Sequence, residues 1–484
     1  MRVERIELKD VGAFDDAVPE IPPPAPGQRG ELVLFEGPNG SGKTTLAQVI
    51  ACACDRDREG KPGGLLAGPD DPRLGAPMDA LRRRFRQQGS TADLTVTVGH
   101  EGARLAIRDS GAQPLSPLSE WRGEPAALLT ACSTAVQRLP SQELSWAAFA
   151  YRGHQKTPSM ATKGPAEIPE HPLFGALSFG SEHPASEHFG QLLVNLDYDL
   201  AKATLAAVEA AKNSGSDGAV ASAEHRAETS RRALGAIQEA ISTALGRRAR
   251  LEFPSGKYKV RILIDDESIP VDLLGEGMRS TLSWLSDLLV RLFRIPWRDP
   301  QIPPNEQVFW LILDEVDESL HPRMQMRLVP TLRRLFPNAH IYMTTHSPFV
   351  VASAGEGFVF PIRPDEDHRV RGRIEPQALH PGQSLEWVIE EIFEAATGFI
   401  DPRSQEALRA HEADVVRLRR REVLHEAEWQ AFIERRARLF AMGEEVQTMV
   451  AMQEVPVRGV IEEAIVQRGR GGDATVVSAP RGAA

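Results

Sequence analysis

Cysteine is scarce in this sequence, which holds only Cys52, Cys54 and Cys132 among its 484 residues. No second cysteine pair and no histidine pair completes a metal site, so we expect neither a zinc site nor a disulfide framework. No apolar run reaches the roughly 18 residues of a membrane-spanning helix, and the first residues lack the apolar core of a secretion signal. These absences predict a protein of the reducing cytoplasm with no membrane contact.

An excess of positive charge is also missing, since the formal net charge is -11 at pH 7. This balance argues against a chain coated with nucleic acid, although it leaves room for a local basic groove. Short basic clusters occur in residues 82–84, 247–250, 419–421 and 435–436. Solvated helix faces are the simpler interpretation of these clusters. Hydrophobic residues make up 42% of the chain, enough for a large core in one domain with insertions or in several modules.

A glycine-rich stretch follows a short apolar run at residues 32–35 and precedes a segment with a helical pattern. Backbone N–H groups at such a helix start converge on phosphate, and glycine keeps Cβ atoms out of the way. In this arrangement Lys43 reaches the β- and γ-phosphates of ATP, and the hydroxyl of Thr44 binds Mg²⁺. The residues predicted to bind the nucleotide here are Gly37, Pro38, Asn39, Gly40, Ser41, Gly42, Lys43, Thr44 and Thr45.

Two further polar elements follow predicted strands. Residues 308–313 form a continuous apolar run, as buried parallel strands do, and Asp314 and Glu315 come directly after it. We expect Asp314 to hold Mg²⁺ and Glu315 to polarise the attacking water. His346 follows a second strand and is predicted to contact the γ-phosphate. The predicted catalytic residues are therefore Glu315, Lys43 and His346.

This set of motifs resembles the ABC-type ATPase heads of the SMC, RecF and OLD group over most of residues 1–360. The chain also has that group's Leu320-His321-Pro322 element after the two acids, and its Thr-His-Ser-Pro switch element at residues 345–348. The resemblance implies an α/β fold: a P-loop NTPase head with a mixed or parallel central sheet, an antiparallel β lobe and a short helical insertion. It also implies ATP and Mg²⁺ as cofactors.

The signature element of these families, Leu-Ser-x-Gly, is matched by residues 274–280. Gly275 stands where the family has a serine that contacts the γ-phosphate of the opposite subunit, so one hydrogen bond worth roughly 1.5–3 kcal/mol is lost. Backbone N–H groups of Gly275 and Gly277 could still bind phosphate there, and a plain glycine-rich turn is the alternative. The resemblance implies a head-to-head, ATP-sandwiched dimer or a higher oligomer. Gln155 is the candidate for the family's Mg²⁺-sensing glutamine, with a surface-loop residue as the alternative.

Five segments are predicted along the chain. We expect a first ATPase lobe with the P-loop, a helical hairpin insertion, and a second lobe with the signature, the Asp-Glu pair and the histidine switch. A C-terminal helical module for oligomerisation or partner docking follows, and then a disordered tail. Their predicted ranges are 1–190, 191–250, 251–383, 384–467 and 468–484.

Two classes of function remain open at this point. The helical insertion at residues 191–250 is short, and no nuclease pattern follows His346. In both respects the sequence resembles stand-alone ATPases of bacterial anti-phage defence systems, which work with a separately encoded effector or nuclease. The alternative is a RecF-like ATPase of DNA repair that binds duplex DNA. Stimulation of the ATPase by any duplex DNA would favour the second class.

Overall fold

The computed structural model divides the chain into two compact units, Met1–Glu394 and Ala395–Ala484. It describes residues 2–462 apart from 25–29, 53–80, 82, 88, 99–100, 110–116, 123–142, 154–159, 161, 163, 169–171, 174, 178, 180–183, 213–216, 255–257, 270–272, 394–401, 421, 423 and 443. Gln155 and the predicted disordered tail, residues 468–484, lie outside the described residues.

A six-stranded, mostly parallel sheet carries the P-loop, with the strand order β15-β13-β3-β12-β11-β7. All its neighbours pair in parallel except β13 and β15. Strands β3, β11 and β12 are buried along their whole length, which explains their unbroken apolar runs. The strands are β3 (Leu32–Glu36), β7 (Ala147–Arg152), β11 (Phe309–Asp314), β12 (His340–Thr345), β13 (Gly357–Pro361) and β15 (Gln377–Leu379).

A second six-stranded sheet has the order β14-β2-β1-β4-β5-β6. Its strands pair antiparallel, apart from β14, which lies parallel to β2. Along β1, Val3, Ile6 and Leu8 are buried, and the pairing of β1 with β4 has a register shift between Val3 and Arg5. The strands are β1 (Arg2–Val11), β2 (Phe14–Pro19), β4 (Thr91–Val98), β5 (Glu101–Asp109), β6 (Pro117–Arg122) and β14 (Val370–Ile374).

The two sheets confirm the predicted fold class, a mixed or parallel central sheet with an antiparallel β lobe. Both predicted lobe ranges, 1–190 and 251–383, contribute strands to each six-stranded sheet, so they are interleaved within one folded unit. A small third sheet consists of β8 (Ala249–Glu252), β9 (Arg261–Ile264) and β10 (Glu267–Ser268).

Helices cover the sheets of the first unit. Two long helices pack on each other, α2 (Phe189–Lys212) and α3 (Asp217–Leu245). The others are α1 (Lys43–Cys52), α4 (Glu276–Leu292), α5 (Pro322–Leu335), α6 (Pro348–Ala352) and α7 (Leu385–Trp387), which continues into the π-helical turn Val388–Ile392. Helix α1 is almost entirely buried, because it begins directly at the P-loop and lies between the two sheets.

The second unit is helical, with α8 (Pro402–Arg419), α9 (Glu426–Phe440) and α10 (Glu444–Glu454). Trp429 and Phe432 of α9 are buried in a cluster with residues of α8. The C-terminal module was predicted from residue 384, which lies before this unit begins. No helix among the described residues is long and apolar enough to cross a membrane.

Candidate functional site

The P-loop connects the end of β3 to the start of α1. Gly40 and Gly42 have φ angles of +84° and +102°, a region that side-chain-bearing residues rarely adopt. A Cβ atom on Gly42 would lie 2.5 Å from the ring of Phe14, and one on Gly37 would lie 2.6 Å from the carbonyl oxygen of Ile362. The glycines are therefore required by the backbone conformation and by close packing, as the P-loop pattern predicts.

Lys43 folds back onto its own loop. Its Nζ donates hydrogen bonds to the carbonyl oxygens of Gly37, at 2.8 Å, and of Pro38, at 3.1 Å. Burial lowers the pKa of Lys43, while the nearby carboxylates of Glu315 and Glu36 act in the opposite direction. An ammonium held only by neutral carbonyls can exchange these partners for phosphate oxygens, which form stronger charge-assisted bonds.

Asp314 ends β11 and is completely buried. Its Oδ1 accepts hydrogen bonds from the hydroxyls of Thr44, at 3.0 Å, and Thr344, at 2.8 Å. Thr344 lies beside it because β11 and β12 pair in parallel register at this position. Burial raises the pKa of Asp314, with opposing contributions from Thr344 and Arg152. The structure thus joins the predicted Mg²⁺ ligands Asp314 and Thr44 directly.

The oxygen atoms of Asp314 and Thr44 are also chemically suited to a divalent cation. Asp314 Oδ2 is buried and has no hydrogen-bond partner in the described part of the chain, although Arg152 Nε lies 3.4 Å away. Carboxylate and hydroxyl oxygens are ligands that Mg²⁺ prefers. An orphaned carboxylate oxygen next to the Thr44 hydroxyl therefore suits this ion.

Glu315 has a strained backbone, with φ at +52°. Such a conformation is uncommon outside glycine and is concentrated at functional sites. It is held by the Thr344 hydroxyl, which accepts a hydrogen bond from the Glu315 N–H at 3.0 Å, and by Gly153, whose N–H donates to the carbonyl oxygen of Asp314 at 3.0 Å. These contacts fix the direction in which the Glu315 carboxylate leaves the strand end.

His346 is exposed at the end of β12, on a turn that two side-chain hydrogen bonds hold in place. The hydroxyl of Thr345 donates to Asp317 at 2.5 Å, and the hydroxyl of Ser347 donates to Gln325 of α5 at 2.7 Å. Both anchors are buried. The turn that presents His346 is therefore tied to the segment after the Asp-Glu pair.

These elements surround one cleft of about 500 Å³ at the carboxyl ends of the parallel strands. Ligands of open α/β sheets bind at this edge. The predicted residues that line the cleft are Asn39, Gly40, Gly42, Lys43, Thr44, Thr45, Glu315 and His346. The lining residues that the sequence did not predict are Gly12, Ala13, Arg84, Arg152, Glu318, His368 and Arg369.

Arg152 is one lining residue that sequence reasoning missed. It ends β7, and its guanidinium lies 3.4 Å from Asp314 Oδ2 and 3.5 Å from Glu315 Oε2. The sequence did contain a signal for Arg152, because it comes at the end of an apolar strand. The carboxyl ends of parallel strands share one edge of the sheet, where the site lies. The predicted Gln155 lies three residues further on, outside the described residues, so no position can be assigned to it.

The predicted signature residues lie apart from this cleft. Gly275 precedes α4 with open space around it, whereas a Cβ on Gly277 would lie 2.8 Å from the carbonyl oxygen of Ser319. Neither glycine lines the cleft. Within one chain, the structure brings the P-loop, Asp314, Glu315 and His346 together and leaves Gly275 and Gly277 elsewhere.

Comparisons with known proteins agree with the motifs. Residues 239–352 match a family described as "AAA domain, putative AbiEii toxin, Type IV TA system". The chain is 27% identical to Septu protein PtuA of Bacillus thuringiensis over 150 residues, which cover 31% of this chain and 37% of that protein. It is 24% identical to the Retron Ec83 probable ATPase of Escherichia coli over 163 residues, which cover 34% of this chain and 29% of that protein.

A third relative is the Retron Vc95 probable ATPase of Vibrio cholerae, 26% identical over 24% of this chain and 23% of that protein. The chain therefore spans between 23% and 37% of the length of these curated relatives. Among solved structures, the SMC head domain from Thermotoga maritima is 12% identical, covers 74% of this chain and 95% of that chain, and has a TM-score of 0.36. The family and the relatives confirm the predicted similarity to ATPases of this kind.

Proposed function

We propose that this chain binds ATP with Mg²⁺ in the cleft and hydrolyses it to ADP and phosphate. The observation that carries the proposal is the convergence of Lys43, Thr44, Glu315 and His346 on one cleft, with Asp314 bonded to Thr44 beneath them. These residues come from α1 and from the ends of β11 and β12, which are far apart in the chain. A set of cationic, hydroxyl, carboxylate and imidazole groups around a P-loop suits phosphoryl transfer to water.

The mechanism follows from the positions of these groups. Lys43 exchanges its loop carbonyls for the β- and γ-phosphates, and the N–H groups at the start of α1 bind the same anion. Thr44 and Asp314 would hold Mg²⁺, which would neutralise charge on the phosphates. Glu315, fixed by its strained backbone, orients the attacking water and accepts its proton. His346 contacts the γ-phosphate from the end of the neighbouring strand β12.

A second copy of the chain completes the site in this proposal. The helix start at Gly275 and Gly277 lies outside the cleft of its own chain, so its N–H groups are available to a nucleotide held by another subunit. The same arrangement operates in the family that the motifs resemble. Gly275 has no hydroxyl to offer, so the closing contact relies on backbone donors and the α4 dipole.

The biological role that we propose is that of the ATPase subunit, as sensor, motor or scaffold, in a bacterial anti-phage defence complex with a separately encoded effector or nuclease. The similarity to a Septu protein and to retron ATPases supports this role. A DNA-repair role receives less support, because members of two basic clusters are engaged in ion pairs. Arg247 pairs with Asp265, and Arg436 pairs with Glu454.

Two substitutions test the proposed hydrolysis. Lys43→Ala should abolish ATP binding, because it removes the charged contact to the phosphates. Glu315→Gln should retain binding but lower turnover by about 10²- to 10⁴-fold, the usual contribution of a general base, and should trap an ATP-bound dimer. Binding is measured by calorimetry, turnover by phosphate release and the dimer by mass photometry.

Matched controls are Lys202→Ala on α2 and Glu386→Gln on α7, which change the same residue types at exposed positions outside the cleft. Both should behave as the parental protein does. Hydrolysis at the parental rate by the Glu315→Gln protein would refute the assigned role. Strong stimulation of the ATPase by any duplex DNA would support the DNA-repair role instead.

A further inference from the structure

The catalytic groups make up only part of the lining of the cleft. Glu315, Arg152 and His346 lie at the strand ends, where the γ-phosphate is hydrolysed in the proposed function. A separate group of lining residues, Gly12, Ala13, His368 and Arg369, plays no part in that chemistry. We call this group the turn wall, because it consists of the turn between β1 and β2 and the turn before β14.

The turn wall adjoins the P-loop helix at the end of the predicted phosphate-binding residues. A Cβ atom on Gly12 would lie 3.0 Å from the hydroxyl oxygen of Thr45, the residue that follows Thr44. The N–H of Gly12 donates to the carbonyl oxygen of Arg84 at 2.8 Å, and the guanidinium of Arg84 reaches Gln48, one turn further along α1. The wall is thus joined to α1 next to Thr44 and Thr45, the last residues of the predicted phosphate-binding set.

Hydrogen bonds join the two turns into one rigid wall. The Val370 N–H donates to the carbonyl oxygen of Ala13 at 2.9 Å, and the guanidinium of Arg369 donates to the carbonyl oxygen of Gly12 at 3.1 Å. Asp365 fixes the second turn from within, because its carboxylate accepts the N–H groups of Asp367, at 3.0 Å, and Arg369, at 2.8 Å. A surface built in this way holds its side chains in place before a ligand arrives.

His368 stands out in this wall. Its φ is +58°, a left-handed conformation that histidine adopts more often than most residues but that still carries strain. Its N–H donates to the carbonyl oxygen of Asp365 at 2.9 Å, which closes the turn. The imidazole is exposed, lines the cleft and makes no hydrogen bond or ion pair to the rest of the described chain. The hydrogen-bonded turn therefore places in the cleft an imidazole that has no side-chain partner in the described chain.

We propose that His368 is the base-contacting residue of the nucleotide site, where its ring stacks on the purine of the bound nucleotide above the small residues Gly12 and Ala13. Histidine is one of the side chains on which nucleobases stack. Stacking uses the face of the base and not its edge, so this contact serves adenine and guanine alike. The inference deepens the proposed function, because it assigns the remaining part of the same cleft.

His368→Asn is the test variant, because asparagine tolerates the left-handed backbone but has no aromatic ring. Loss of one base stack should raise the Kd for ADP by about 5- to 100-fold, and the Kd for GDP should rise similarly. The Kd for pyrophosphate, which has no base, should stay unchanged. All three are measured by calorimetry with Mg²⁺ on the full chain.

Two further variants separate the ring from the fold. His368→Phe keeps an aromatic ring; its bulky side chain is strained at this left-handed φ and should cost some stability, but ADP affinity should stay within about threefold of the parental value, a change of less than 1 kcal/mol. His380→Asn is the matched control, since His380 is exposed but lies outside the cleft. Equal melting temperatures of the two asparagine variants and the parental protein show that folding is unaffected by these changes.

Three outcomes would overturn the assignment. These are unchanged ADP affinity in His368→Asn, an equal loss for ADP and pyrophosphate, and an equal loss in His368→Phe. The last two would mean a contact to phosphate, or a hydrogen bond, in place of a stack. The parental protein separates the two proposals, because failure to bind ADP at all would refute the nucleotide site itself.

Discussion

Gly153 supports the strained residue at the centre of the site, and replacing it tests that support. Gly153 directly follows β7, and its N–H donates to the carbonyl oxygen of Asp314 at 3.0 Å. A Cβ atom at this position would lie 2.4 Å from the carbonyl oxygen of Glu315 and 3.4 Å from its carbonyl carbon. Gly153→Ala therefore cannot keep both the hydrogen bond and the present backbone of residue 315.

The size of the effect follows from this overlap. The atom that the methyl group meets is backbone, not the end of a flexible side chain, so the strand end must move. Such overpacking usually costs about 1–3 kcal/mol of unfolding free energy. Glu315 has little freedom to absorb the movement, because its φ is already at +52°. A displacement of about 1 Å at a catalytic group can lower the rate about 10²-fold.

The assay combines chemical denaturation with steady-state phosphate release. Gly153→Ala should lower the urea midpoint of the first unit and lower turnover about 10²-fold, with a smaller change in ADP affinity. Gly235→Ala is the control, because Gly235 lies inside α3 with nothing within 4 Å of an added Cβ. That change should stabilise the helix by about 0.5–1 kcal/mol. Parental stability and turnover in Gly153→Ala would refute the support that we assign to it.

Two other ionic contacts give further predictions. Arg152→Gln removes a half-exposed cation 3.5 Å from Glu315, so the Mg²⁺ concentration that half-saturates nucleotide binding should fall about two- to fivefold; a higher requirement would contradict this. In the second unit, Glu454→Gln removes the buried partner of Arg436, 2.7 Å away, and should destabilise α9 and α10 by about 2 kcal/mol in hydrogen exchange, whereas Glu412→Gln at an exposed position should not. Although burial alone would raise the pKa of Glu454, its bonds with His411 and Arg436 leave that pKa lowered. The stabilisation is therefore present at neutral pH and lost as the pH falls through the lowered pKa, so the difference from the parental protein should shrink in acid.

The parts of the fold and of the site that could be predicted are those that depend on a pattern within a short stretch of sequence. The P-loop is recognisable because its glycines serve a backbone conformation within eight residues, and the strand before it is apolar throughout because both of its faces are buried. Asp314 and Glu315 follow the same logic, since they end a strand of the same type.

The missed residues depend on which segments lie side by side. Arg152 joins the site only because β7 pairs with β11, and Arg152 is thereby placed opposite Asp314. His368 joins it because β14 lies parallel to β2, a pairing between segments more than 350 residues apart that places residue 370 beside Phe14. No pattern within either segment encodes such a partner, so sequence periodicity cannot supply these contacts.

Charged residues of the cleft contact one another and the backbone of the P-loop. Lys43 is held by loop carbonyls, and Asp314 and Glu315 both face Arg152. A nucleotide that binds here must therefore take the place of these contacts within the protein.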